Sequence, residues 1–81
     1  MKDIRFVFDD RALPNLIVLC RGQVAVGDRL FNRLPTEADG EPSFTVEKIA
    51  GEILTVRLTD QRRKKVLFRS LNDVEWEQRF S

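Results

Sequence analysis

The chain has 81 residues, 42% of them apolar and 33% charged, and a net charge of +1. That leaves room for one modest core, burying only roughly 60 to 65% of the surface exposed on unfolding, and the balance excludes both a disordered chain of low hydrophobicity and a membrane protein. Histidine is absent, which removes the commonest general base, the commonest metal ligand and every Ser-His or Cys-His arrangement.

Ile4, Phe6 and Phe8 alternate with Arg5, Val7 and Asp9, and this period of two predicts a strand with one aromatic face turned inward. Pro14 and Asn15 mark a turn or bulge ahead of Leu16, Ile17, Val18, Leu19 and Cys20. The β-branched content and short length of that run predict a central strand, buried on both faces or nearly so. It is also the longest uncharged apolar run, far short of the roughly 20 residues that cross a bilayer. With no apolar leader before a small-residue cleavage site, a cytoplasmic protein is expected. Cys20, the single cysteine, cannot close an internal bridge and reads as a buried structural thiol in a reducing compartment. Gly22 and Gly27 bracket residues 23–26, and Gly27 followed by Asp28 predicts a sharp turn, because glycine tolerates positive φ. These three are the structural turn residues. Leu30, Phe31 and Leu34 then begin another extended piece.

Residues 35–42 read Pro, Thr, Glu, Ala, Asp, Gly, Glu, Pro, the composition of a solvated, mobile loop inside one domain spanning 1–81. The apolar pattern resumes with Phe44, Val46 and Ile49, turns at Ala50 and Gly51, and returns through Ile53, Leu54, Val56 and Leu58, giving two further strands. Asp60, Gln61, Arg62 and Arg63 form a polar tip before Val66, Leu67 and Phe68, so residues 52–70 read as a long hairpin. The tail supports two readings. Asn72 or Ser70 could cap a short helix with Asp73 and Glu75 in its first turn and Val74, Trp76 and Phe80 on or near the inner side, or the segment could add a sixth or seventh strand. Short strands with turns at roughly eight to ten residue spacing predict a mainly all-β fold, a small antiparallel β-barrel of six to seven strands, half-open in outline.

No phosphate-cradling loop and no dinucleotide fingerprint occurs. Asp9 and Asp10 are adjacent, so in a strand they point to opposite faces and cannot act as a facing pair. Glu37, Asp39 and Glu41 alternate as in a calcium loop but lack the ligand count and the closing bidentate Glu. No metal, no cofactor and no catalytic residue is therefore expected, and the chain reads as a non-enzyme. The polarised feature is a set of cations, Arg57, Arg62, Arg63, Lys64, Lys65 and Arg69, against a single acid, Asp60, between residues 57 and 69 of the second hairpin. Such a hairpin can track the phosphates of RNA or a ribonucleoprotein, or it can be a solvated turn that discourages edge pairing. A second candidate surface, for a protein partner, combines Glu37, Asp39 and Glu41 with Trp76, which either anchors the tail on the barrel or projects to a partner, as an inhibitor or immunity-type accessory domain would use it. No membrane contact is expected, and pairing of strand edges between two chains is a third option.

Taken together, Arg21, Gly22, Gln23, Val24, Ala25, Val26, Gly27, Asp28, Arg29 and Leu30 resemble the strand-turn-strand signature of the second domain of translational GTPases of the elongation factor Tu type. The stretches 6–19 and 44–58 can be laid onto the other strands of that barrel, so the likeness covers about two thirds of the chain. The sequence departs from the pattern at Ile17, where the family carries a glycine, and these 81 residues hold no counterpart of the family's GTP-binding domain, so no GTPase activity is expected of them. The resemblance implies a β-barrel that, in its relatives, packs on partner domains and contacts RNA.

Overall fold

Alternating apolar and polar side chains give each strand an inner and an outer row, and six such strands here curl until the last bonds to the first. The computed structural model describes residues 1–9, 17–32 and 42–80. In chain order it contains β1 (Asp3–Phe8), β2 (Ile17–Arg21), β3 (Arg29–Asn32), β4 (Phe44–Ala50), β5 (Ile53–Arg57), β6 (Arg63–Leu71) and α1 (Asp73–Phe80). The strands close in the order β1-β2-β6-β5-β4-β3. The barrel is closed where the sequence suggested a half-open one, because β3, only four residues long, bonds to β1 on one side and β4 on the other. Two seams are parallel, β1 with β3 and β2 with β6, and the rest are antiparallel. The cause is the crossover after β2, which passes the start of β1 and delivers β3 to its far side.

The inner rows are those the alternation predicts. Phe6 is fully buried at the centre, stacked on Phe44 at 5.4 Å and edge-on to Phe8 at 5.1 Å. Val18 and Cys20 face this core from β2, as do Leu54, Val56 and Val66 from the β5–β6 hairpin. Leu19 is fully buried but belongs to the outer row, opposite Val7 and Arg69, which makes β2 covered on both faces as expected. That outer wall lies beside α1. Arg21, at the end of β2, donates to Asp73 at 2.7 Å, and Arg79 donates to Asp9, next to the end of β1. The helix is thereby pinned at both ends.

The crossover is organised by Asp28, which is 1% exposed. Its carboxylate accepts the backbone N–H of Lys2 at 3.0 Å and of Ala25 at 2.8 Å, tying the turn to the start of β1. Gly27 stands at φ 95°, a conformation that L side chains rarely adopt, and donates its N–H to the Val46 carbonyl at 2.8 Å. The turn roles assigned to Gly27 and Asp28 are therefore occupied, and Gly22 likewise has a positive φ of 86°.

Of the two readings of the tail, the helix forms. Asn72 caps it: its side-chain oxygen accepts the Glu75 N–H at 2.8 Å while the Glu75 carboxylate accepts the Asn72 N–H at 3.4 Å. Ser70 belongs to β6, and its hydroxyl donates to the Gly22 carbonyl instead. Leu34 and most of the loop expected at 35–42, with Glu37, Asp39 and Glu41, lie outside the described residues. No helix among the described residues is long and apolar enough to cross a membrane.

Candidate functional site

The register of the second hairpin decides where its cations point. On β5 and β6, Leu54 pairs with Val66 in the core, so the neighbouring pairs, Thr55 with Lys65 and Arg57 with Arg63, face outward. Arg69 lies on the same outer row of β6, six residues beyond Arg63, or roughly 20 Å along the strand. Four of the six sequence-selected cations thus share one wall. Lys64 pairs with Val56 on the inner row, yet is exposed because it has reached the mouth of the barrel. Arg62 sits in the tip, where it donates to Asp60 through Nε at 2.6 Å and through its backbone N–H at 3.1 Å. Those bonds, the backbone one first, hold the Asp60 carboxyl below the usual carboxylate range.

A fifth cation joins the wall from β4. The pairing of β4 with β5 slips between Val46 and Lys48, leaving Glu47 as the extra residue of a β-bulge and placing Lys48 opposite Thr55 on the outside. Without the slip Lys48 would fall on the inner row with Phe44 and Val46. Sequence reasoning missed this residue, although the signal is present: the apolar positions run Phe44, Val46, Ile49, breaking period two at that point.

The bulge also delivers the wall's carboxylate. Glu47 accepts Arg63 Nε at 2.6 Å and lies 3.6 Å from Arg57 Nη1, holding the two guanidinium groups side by side. Lys48, Lys65 and Arg69 have no ion pair among the described residues. The outward rows therefore carry five cations and Glu47 around the Thr55 hydroxyl, and at the far end Arg69 shares a groove with Glu52, Glu75 and Arg79. None of the outward positions of β4, β5 and β6 is aromatic, because Phe44 and Phe68 turn to the core.

Of the protein-contact candidates, Trp76 lies among the described residues. Trp76, on α1, is half-buried, tilts against Phe80 at 4.6 Å and lines a groove with Lys2, Arg5, Arg21 and Gln23. The acidic residues proposed to act with it fall outside the described residues. Cys20 is buried, and burial pushes its thiol up to about 12. No protein family, no curated protein and no solved structure matches this chain.

Proposed function

We propose that the chain is a non-catalytic binding module that holds the phosphates of RNA, free or in a ribonucleoprotein, against the outer wall of β4, β5 and β6. The carrying observation is that Lys48, Arg57, Arg63, Lys65 and Arg69 lie on the outward rows of that wall, where among the described residues Glu47 is the carboxylate that pairs with them, through Arg57 and Arg63. Neutralising phosphates with these side chains releases condensed counterions, so affinity comes mainly from charge and falls with salt. Glu47 adds order, since guanidinium groups already held in place lose less freedom on binding than mobile ones. The single thiol is kept protonated inside the barrel, which supports a binding rather than a nucleophilic role. The likeness of residues 21–30 to translational GTPase barrels supports RNA as the anion. Half-burial of Trp76 in a groove with Ile4 and Arg5 of β1 and Arg21 of β2 supports the anchoring role of that side chain over contact with a partner.

Fluorescence anisotropy with labelled RNA tests the proposal. If the wall neutralises about four phosphates, affinity should fall on the order of 50-fold for a single strand and about 150-fold for a duplex between about 50 and 200 mM salt. Replacing Lys48, Lys65 and Arg69 together by Gln should flatten that dependence. An unchanged salt slope in this variant would remove the wall from the reading.

A further inference from the structure

We infer that the RNA held by this wall is base-paired, a stem gripped through its backbone with no preference for base sequence; the inference rests on the phosphate-binding reading above. A module that binds single strands combines a cationic channel with aromatic faces on which successive bases stack, worth about 1–3 kcal/mol per base. This wall has the cations and lacks the aromatics: beside Glu47 its outward rows carry Lys, Arg, Thr and aliphatic side chains, Phe44 and Phe68 turn to the core, and Phe31, on the outer row of β3, is covered by the Arg5 guanidinium. A single strand laid here would leave its bases unstacked and unread. A stem has stacked its bases already and presents phosphates at fixed spacing.

The shape argues the same way. The outer side of a closed barrel is convex, so it cannot wrap a flexible strand as a channel does. It can lie along a rigid helix. Lys48 and Lys65 flank Thr55 on adjacent strands, roughly 10 Å apart across the wall, while Arg63, Lys65 and Arg69 line up along β6. The cations thus cover two directions, as contact with the backbones on either side of a groove requires. The Thr55 hydroxyl between them can donate to a phosphate or exchange hydrogen bonds with a 2′-hydroxyl, the groups that A-form RNA displays across its shallow minor groove.

The test compares a blunt RNA duplex of about 18 base pairs, a length suited to shape-specific contact, with each of its separated strands and with a scrambled duplex. Anisotropy is read at low and moderate salt. The expected result is duplex affinity at least about fivefold above either strand, equal for the scrambled duplex, with the duplex advantage lost in a Lys48→Gln/Lys65→Gln variant whose fold is verified by circular dichroism. Single strands binding as tightly as the duplex would overturn this inference and leave the phosphate-binding wall standing. No binding of any RNA at low salt would overturn both.

Discussion

Asp28 carries more of the barrel than its size suggests. Two backbone N–H groups, of Lys2 and Ala25, point at a carboxylate that is almost fully enclosed. Asp28→Ala would leave both donors unsatisfied in the interior, at a cost of about 3 kcal/mol, which urea denaturation would read as a lower midpoint. Asp28→Asn should recover little, because its amide can accept from one donor but turns its own N–H toward the other. Cys20 makes the opposite kind of statement. Burial raises its thiol from an ordinary 9.0 to about 12, so the folded state holds a proton that the unfolded chain releases earlier. The stability this contributes is whole below about pH 9 and is lost as pH climbs from there toward about 12, with a slope of about 1.4 kcal/mol per pH unit. Urea midpoints measured from pH 8 to 10.5 should therefore fall more steeply for the native chain than for Cys20→Ala; parallel curves would refute the buried-thiol account.

At the scale of elements, much was legible because one side chain in two had to be apolar. β1 and β2 announce themselves through Ile4, Phe6 and Phe8 and through the run ending at Cys20, and both occupy the places expected of them. The bulge at Glu47 was written only as a gap in spacing between Val46 and Ile49, a signal too short to separate from noise without the partner strand. The tail was ambiguous for a physical reason: eight residues of modest amphipathicity can be strand or helix, and the reciprocal Asn72–Glu75 cap tips the choice. The tip of the β5–β6 hairpin holds one local conflict. Gln61 stands at φ 71°, where its N–H donates to the Leu58 carbonyl at 3.0 Å, a conformation that glycine adopts freely and glutamine does not. Gln61→Gly should raise stability by about 0.5–1 kcal/mol in thermal or urea unfolding. It should leave the salt dependence of RNA binding unchanged, because Gln61 lies off the cationic wall.

For the whole molecule, closure and the two parallel seams could not be read in advance, since they depend on which distant strands meet rather than on any local pattern. The same holds for the cationic wall: the sequence places its charges in one hairpin, but only the register sorts Lys64 to the mouth and brings Lys48 in from β4. The barrel leaves one more distribution to be decided, between its inner core and the wall beside α1. Leu19 is fully buried on the outer row, the helix is pinned near it by Arg21 and Arg79, and Trp76 and Phe80 are the half-buried side chains of α1. If Trp76 anchors the helix, Trp76→Ala loosens a second apolar layer and should cost about 2 kcal/mol, less than a fully buried Trp would, because the ring is only half covered. Urea unfolding followed by circular dichroism would show the lowered midpoint, with most of the salt slope of RNA binding kept, because Arg69 shares a groove with Glu75 and Arg79 of α1 while Arg63 and Lys65 lie toward the other end of β6. A Trp76 whose work is to meet a protein partner would give the reverse pattern: full stability in the Ala variant, since a projecting side chain contributes nothing to the isolated fold.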